Sequence, residues 1–322
     1  MSRSHSHTFA VTVTAITQVT PLIKHFVLKA SDGSQLPAFS GGSHVIVVMK
    51  GASRVHRNPY SLLSSPSDLS SYEIAVRRAD PTRGGSVFMH DHVTVGMQLE
   101  IAHPVNLFQL DKLARKHVLF AGGVGITAIA AQLEDLKMGS VHYELHYSVR
   151  GPEHAAFADR LVKRHGDRVR IYHDSADQRI DIEGLVAAQP LGTHVYVCGP
   201  TPMIDRVIAS ARAAGWANSH IHWEQFSAPP VGEPFDVFLQ RSNITLSVPP
   251  DQSLLEAIED AGIDAPYLCR GGVCGECKCR VLEVDGVLVH NDNYLSSEEK
   301  ASGALIMPCV SRAQGKKLVI DL

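Results

Sequence analysis

Leu268-Cys269-Arg270-Gly271-Gly272-Val273-Cys274-Gly275-Glu276-Cys277-Lys278-Cys279 is the stretch on which the reading of this chain turns. Cys269, Cys274 and Cys277 form C-x4-C-x2-C, and one more cysteine, Cys309, follows in Met307-Pro308-Cys309-Val310-Ser311. Three clustered thiolates completed by a distant fourth is the spacing of a plant-type [2Fe–2S] centre. Such a loop wraps closely around inorganic sulfides, so Gly271, Gly272 and Gly275 supply backbone freedom where a Cβ would crowd them. Loop amides released from regular structure then donate to sulfur and tune the centre. Zinc, the rival for four cysteines, usually sits between two C-x2-C knuckles, a pattern absent from this stretch. Cys198 and Cys279 are left over and read as small buried hydrophobes.

A one-electron carrier late in a chain needs an electron source, and the preceding sequence has room for one. The 322 residues suffice for two or three domains, each with its own core. Lys+Arg 30 against Asp+Glu 33 leaves a net charge of −3, a balance that speaks against nucleic acid as a partner and is compatible with a monomer. No apolar run approaches the roughly 20 residues that cross a bilayer, and Met1–His7 is polar, without an apolar signal core. Six cysteines without a secretory signal point to a reducing, cytoplasmic setting and away from disulfides. The histidines form no H-x-x-x-H or similar pair on a convincing helix and read as solvated or core imidazoles.

From Phe9 to about Leu110 the pattern is all-β. Phe9–Thr14, Ile23–Leu28, His44–Met49 and Tyr72–Val76 are short, β-branched runs separated by turn clusters, the signature of a small antiparallel barrel. Two stretches within it carry chemistry: Arg57-Asn58-Pro59-Tyr60-Ser61-Leu62, and Arg83-Gly84-Gly85-Ser86. A glycine turn with exposed amides cradles a phosphate and a nearby guanidinium pairs with it, so together they favour a phosphorylated cofactor. Each alone reads first as a strand ending in a proline turn or an ordinary surface loop.

From His117 the pattern becomes α/β. The buried-strand run His117–Ala121 is followed by Gly122-Gly123-Val124-Gly125-Ile126-Thr127-Ala128 and a helical stretch to about Leu136. Gly123, Gly125 and Ala128 satisfy G-x-G-x-x-A between strand and helix, where a pyrophosphate approaches the helix N-terminus. A second strand, Val141–Val149, ends in Arg150 where an acid for a ribose diol is usual, leaving NAD and NADP both open. Strands Val169–His173 and His194–Cys198 follow, then the turn Gly199-Pro200 and a helix over Thr201–Ala214. The alternation implies a parallel sheet, and Cys198-Gly199-Pro200 falls at the strand edge where such sheets bind ligands.

Ala228–Pro234 is a proline-rich linker. Beyond it Phe235–Leu239 and Ile244–Val248 read as a hairpin, and Ser253 with Glu256 forms a capping box at the head of a helix to Ala261. With the cysteine loop and returning strands at Lys278–Leu282 and Leu318–Ile320, this makes a small mixed sheet gripping one helix. The expected architecture is therefore multidomain: an antiparallel β-barrel over 1–111, an α/β nucleotide-binding domain with a parallel sheet over 112–228, and the cluster domain over 229–322.

That order resembles the phthalate dioxygenase reductase family, the reductases that supply Rieske oxygenases. The resemblance rests on Tyr60-Ser61-Leu62, Arg83-Gly84-Gly85-Ser86, Gly122–Thr127, Cys198-Gly199-Pro200, the four cysteines, and Cys309-Val310-Ser311-Arg312. It implies FMN in the barrel, NADH in the middle domain, and a β-grasp ferredoxin fold around the [2Fe–2S] cluster. It also implies that hydride passes from NADH to FMN and single electrons then leave through the cluster to a separate Rieske-type oxygenase component. On that resemblance Tyr60 packs on the isoalloxazine, Ser61 bonds near its N5, Ala75, Val76 and Arg77 line it, and Gly84, Gly85 and Ser86 hold its phosphate. Thr127 approaches the flavin, and Phe226, in Trp223-Glu224-Gln225-Phe226, covers the ring where nicotinamide enters. Tyr60, Ser61, Thr127 and Phe226 are thus the residues expected at the hydride-transfer site.

The chain departs from the family at three places. The family writes R-x-Y-S, whereas Arg57 stands three positions before Tyr60; it meets the phosphate only if Pro59 marks a bulge, and otherwise Arg77 or Arg83 takes its place. Ala128 replaces a common proline, and Val105 stands where an arginine is frequent. Arg270 and Glu276 read as exposed loop residues available to a partner. Two other readings remain: an FAD-dependent reductase feeding a diiron or other non-Rieske oxygenase, and a ferredoxin-like carrier whose nucleotide domain only regulates.

Overall fold

The computed structural model describes residues 8–51, 54–80, 82–176, 178–226 and 231–322. Met1–His7 and part of the expected linker over Ala228–Pro234 lie outside these residues. The chain divides after Gln225 into two compact units.

The first unit opens with β1 (Thr8–Thr20), β2 (Ile23–Ala30), β3 (Ser43–Lys50), β4 (Val55–Ser61), β5 (Tyr72–Arg77), helix α1 (Gly85–Asp91), β6 (Gln98–Ala102) and β7 (Val105–Asn106). These strands form one antiparallel sheet in the order β4-β3-β6-β1-β2-β5, with β7 beside β3. A bridge from Leu62 to Ile74 joins its two ends, so the sheet curls into a barrel. The alternation read from the sequence sets which side is inside: Val45, Val47 and Met49 of β3 are fully buried with Val11, Val13, Phe26 and Leu28. Met89 of α1 is buried in the same core.

The second half of this unit alternates β8 (Lys116–Gly122), α2 (Ile126–Met138), β9 (His142–Val149), α3 (Ala158–His165), β10 (Val169–His173), α4 (Ile182–Ala187), β11 (Thr193–Cys198), α5 (Thr201–Ala213) and β12 (Ile221–Glu224). All strand pairings here are parallel, in the order β10-β9-β8-β11-β12. The order reverses between β8 and β11, and such a switch point opens a crevice at the carboxyl ends of the two strands.

Barrel and sheet are locked together. The Gly41 amide donates to Asp135 of α2 at 2.7 Å and Gln132 donates to the Phe108 carbonyl at 2.5 Å. A Cβ on Gly41 would lie 2.5 Å from the Gln132 Cα, so only glycine permits this approach. On the other side Glu73 of β5 meets His25 at 3.0 Å and Arg160 of α3 at 2.5 Å. Burial pushes the Glu73 carboxyl up, but bonds from His25 and Arg160 outweigh it and hold the group at about 2.

The second unit contains β13 (Phe235–Leu239), β14 (Ile244–Val248), α6 (Leu254–Asp260), β15 (Cys279–Val284), β16 (Val287–Val289), α7 (Ser297–Ser302), β17 (Leu305–Ile306), β18 (Arg312–Gln314) and β19 (Lys317–Ile320). Its main sheet runs β14-β13-β19-β15-β17, with β16 and β18 paired apart. β13 and β14 form the expected hairpin and β13 lies parallel to β19, the mixed β-grasp arrangement. Ser253 caps α6 as its sequence requires: its hydroxyl accepts from the Glu256 amide at 3.1 Å while Glu256 accepts from the Ser253 amide at 2.8 Å. Leu254, Leu255 and Ile258 of α6 then bury against Val237, Leu239 and Leu318. Arg312, nearly fully buried, donates to the carbonyls of Gln252, Glu233 and Pro249 and fixes the entry of the chain to this unit.

Candidate cofactor sites

In the second unit the four cysteines of the sequence pattern converge. Cys277 and Cys309 place their sulfurs 3.2 Å apart, and Cys269 interacts with Cys274 and Cys309. Hydrogen bonding with Cys274, and then with Cys309, pushes the Cys269 thiol well below the ordinary thiol range. The spare cysteines behave oppositely: burial pushes Cys279 up to about 11 and Cys198 well above a normal thiol, which keeps them protonated and unreactive.

The loop is shaped for a bulky inorganic group. Gly272 and Gly275 have φ of +73° and +79°. A Cβ on Gly272 would lie 2.6 Å from Val310, and one on Gly275 would lie 2.2 Å from the Tyr294 ring. The Gly271 amide donates to the Cys269 sulfur at 3.3 Å, the amide-to-sulfur bond that such a loop is expected to supply.

One loop residue departs from expectation. Arg270 is not an exposed partner contact: it is 7% exposed, ion-paired with Glu259 of α6, and stacked 4.0 Å from the Tyr267 ring. A guanidinium held between an acid and an aromatic face anchors the loop to the helix. Glu276 is exposed as expected.

In the barrel, strand register decides which side chains share a face. β3 and β4 pair without a shift from His44 opposite Ser61 to Lys50 opposite Val55. Pro59 therefore marks no bulge, and Arg57, opposite Val48, points to the face away from Tyr60. This corrects the expectation that Arg57 reaches the phosphate beside Tyr60. Asn58 takes that side instead: its amide donates to the Tyr60 hydroxyl at 3.4 Å, and a Cβ on Gly85 would lie 2.6 Å from its Nδ2. Tyr60 thus comes against the start of α1, where Gly84 has φ +102° and no side chain caps the first turn. The open amides of Gly85 and Ser86, with Arg83 just before them, suit a phosphate. Ser86 is itself held by the Ala79 amide at 3.1 Å. Burial pushes the Tyr60 hydroxyl well above its usual range. On β5, Ala75 and Val76 are buried and Arg77 is exposed; Ala75 packs with the core of the α/β sheet and Val76 with the barrel core.

At the parallel-sheet switch point the glycines divide their labour. A Cβ on Gly125 would lie 2.2 Å from the Cys198 carbonyl oxygen, and one on Gly122 would lie 2.5 Å from Pro200. These two glycines let the loops after β8 and β11 touch. Gly123 has φ +53° and nothing within 4 Å of its Cβ position, so it faces open space at the head of α2. That helix has no capping side chain and no acid in its first turn, which leaves its amides to an anion. Thr127, 2% exposed, spends its hydroxyl on the Val124 carbonyl at 2.9 Å. The Cys198 thiol is buried in the core behind the edge, so Cys198 can offer the crevice only its backbone. Arg150 is exposed beyond β9. Phe226, 49% exposed, opens the second unit.

The histidines were expected as solvated or core imidazoles, and the sheet gathers four of them, His117, His194, His220 and His222. His194 opposes His117 across β11 and β8, and Tyr196 opposes His222 across β11 and β12. His194 stacks on His220 at 4.2 Å between ring centres and bonds to His222 at 2.9 Å. Burial, then the neighbouring His194, push both His117 and His222 down to about 4.

A cysteine-rich β-grasp unit following a barrel and a switch-point sheet defines a pyridine-nucleotide-dependent flavin and [2Fe–2S] oxidoreductase. Residues 237–314 match the 2Fe-2S iron-sulfur cluster binding domain, and residues 102–221 match the dimethylamine monooxygenase subunit DmmA-like N-terminal domain. The chain belongs to the phthalate dioxygenase reductase family. It is 48% identical to the carnitine monooxygenase reductase subunit of Acinetobacter baumannii over 99% of both chains. It is 43% identical to the heme-dependent oxidative N-demethylase beta subunit of Ectopseudomonas mendocina, over 97% of this chain and 98% of that one. The solved structure of phthalate dioxygenase reductase superposes with a TM-score of 0.88 at 32% identity, covering 98% of each chain. The protein is an NADH-dependent reductase that uses FMN and a [2Fe–2S] cluster to deliver electrons to an oxygenase component. When bound, the flavin supplies the step from a hydride pair to single electrons, which neither nicotinamide nor the cluster performs alone.

Proposed function

We propose that the electron acceptor is a Rieske-type oxygenase whose substrate is carnitine or a related methylated amine. The observation that carries this is near-complete coverage, 99% of both chains, of a carnitine monooxygenase reductase subunit. The likeness to phthalate dioxygenase reductase supports the Rieske assignment. A second reading has its own support: the heme-dependent oxidative N-demethylase beta subunit favours a heme acceptor, while the match to a dimethylamine monooxygenase subunit domain is compatible with either acceptor. Reconstitution with each class of oxygenase, following NADH-coupled product formation, separates the two. Turnover with a Rieske carnitine monooxygenase is expected; turnover with a heme N-demethylase alone would sink the first reading.

Within the chain, the proposed division of labour follows the geometry. Cys269, Cys274, Cys277 and Cys309 hold the cluster, and the Gly271 amide bonds to sulfur. Tyr60 and Ser61 position the flavin, Ala75, Val76 and Arg77 border it, and the first turn of α1 with Arg83, Gly84, Gly85 and Ser86 takes its phosphate. Gly123 and the open head of α2 receive the dinucleotide pyrophosphate between the β8 and β11 loops, with Gly122, Gly125, Gly199 and Pro200 shaping the crevice. Thr127 borders the place where nicotinamide meets the flavin, and Phe226, at the start of the other unit, keeps the ring-covering role that the family resemblance implies. The protein needs no nucleophile or general acid; it orients two rings and excludes water. Among the described residues no helix is long and apolar enough to cross a membrane. The near balance of charge, Lys+Arg 30 against Asp+Glu 33, is compatible with a monomer, and we place the enzyme in the cytoplasm on its cysteine usage.

A further inference from the structure

Behind the cysteine loop lies a buried carboxylate that the cysteine pattern does not account for. Asp292 is 2% exposed, and its side chain is wholly covered. Residues 291–295 run across the loop between Cys269 and Cys274. There the Asn293 amide donates to the Gly272 carbonyl at 3.0 Å, and a Cβ on Gly272 would lie 3.1 Å from the Asp292 Cα. The Asp292 carboxylate accepts from the Leu295 amide at 2.8 Å and from the Ser311 hydroxyl at 3.3 Å. Ser311 is fully buried and stands two residues after Cys309, so Asp292 packs against both chain segments that carry the cysteines. Its counter-charge is Lys300 of α7, whose Nζ lies 3.7 Å from the carboxylate and donates to the Asp292 carbonyl at 2.5 Å. His290 Nδ1 stands 3.5 Å from Oδ1.

A brace alone does not need a charge. Asparagine serves such turns as well as aspartate, and burying a carboxylate is costly unless it is paired. What the acid adds is a fixed negative charge, and each electron that enters the cluster adds another. We infer that Asp292, balanced in part by Lys300, braces the two cysteine-bearing segments and holds the reduction potential of the cluster down, favouring release of the electron to the acceptor. This rests on reading Cys269, Cys274, Cys277 and Cys309 as the cluster ligands. Local charge is one of the levers that set the potential of such a centre. At an effective dielectric of about 20, a unit charge about 10 Å away changes an equilibrium of this kind by about tenfold. Lys300, with 29% of its side chain exposed, is screened more by water and acts with the opposite sign and a smaller effect.

The test is the midpoint potential of the cluster, read by electron paramagnetic resonance during anaerobic redox titration of the holoprotein at one pH. Wild type is compared with Asp292→Asn, Lys300→Met and Cys309→Ser. Asp292→Asn is expected to favour reduction by about tenfold, which is about 59 mV for one electron. Lys300→Met is expected to disfavour it by a smaller factor, and both variants should keep the g-values of the wild-type signal. Opposite signs are what a charge effect requires, because loss of bracing alone moves both variants the same way. Wild-type potentials in both, or shifts of one sign, overturn the inference. If Asp292→Asn does not retain its cluster, Lys300→Met decides: a lower potential supports the inference, and an unchanged or higher one overturns it. Cys309→Ser is expected to alter or abolish the signal. If it does so while the other two variants keep the wild-type potential, only the role of Asp292 falls. If Cys309→Ser leaves the signal as in wild type, the ligand reading falls and the inference with it.

Discussion

The cluster loop of the second unit and the nucleotide edge of the first are both rich in glycine, and the glycines are there for different reasons. In the cluster loop Gly272 and Gly275 occupy left-handed backbone at φ +73° and +79°, with Val310 and Tyr294 filling the space a Cβ would need. Conformation and crowding both demand glycine. At the nucleotide edge Gly122 and Gly125 lie outside the left-handed region, and what forbids a side chain is the neighbouring loop at Pro200 and Cys198. One region is folded around a cofactor; the other is two strand ends pressed together beside one. The first should fail outright when a glycine is replaced, whereas the second should loosen and keep its fold.

Gly275→Ala is the sharpest way to break that contrast. It combines left-handed strain of about 1 kcal/mol with a methyl driven into Tyr294, and should abolish the iron–sulfur absorbance while the flavin stays bound. Gly125→Ala should do the reverse, keeping the cluster spectrum while slowing flavin bleaching by NADH. Matching outcomes from the two variants, in either direction, would remove the distinction.

Next in size is Glu259→Gln, which leaves the buried Arg270 charge unpaired. Breaking a buried pair costs about 3–5 kcal/mol, so the urea midpoint of cluster bleaching should fall well below wild type. The two tryptophans of the chain, Trp216 and Trp223, both lie in the first unit, so their fluorescence reports that unit separately and should keep its midpoint.

Acid should discriminate the units by another route. His117 is 2% exposed and held at about 4, below the 6.5 of a free imidazole, by burial and then by His194 and His222. The unfolded chain therefore binds more protons than the folded one between those values. The stabilisation is complete above pH 6.5 and drains as pH falls toward 4, at up to about 1.4 kcal/mol per pH unit for each such imidazole. The tryptophan-detected urea midpoint should drop across that window, and His117→Gln should flatten the slope.

Much of the second unit was legible because its determinants are local. The cysteine spacing, the Ser253–Glu256 capping box and the hairpin at Phe235–Val248 each depend on residues close in the chain, and each appears where its pattern placed it. What escaped the sequence depends on pairing between distant strands. An unshifted register turned Arg57 away from Tyr60 and put Asn58 there. An acid eleven residues back, Glu259, drew Arg270 inward, and the segment after β10 brought Asp174 to Ser148 at the end of β9. The histidine stack likewise spans β8, β11 and β12. No spacing rule signals contacts of this kind until the sheet order is known.

The smallest expected effect falls on the most legible feature. Ser253→Ala removes the α6 cap and should cost about 1 kcal/mol, read as a modest fall in the midpoint of cluster bleaching with no change in tryptophan fluorescence.

The most direct test of the whole account is an anaerobic titration of the holoprotein with NADH, recording visible absorbance and electron paramagnetic resonance together. The account predicts bleaching of the flavin band followed by the signal of a reduced [2Fe–2S] cluster in the same protein. A flavin that bleaches while the cluster stays oxidised, or a protein that carries zinc and no iron–sulfur band, would contradict it.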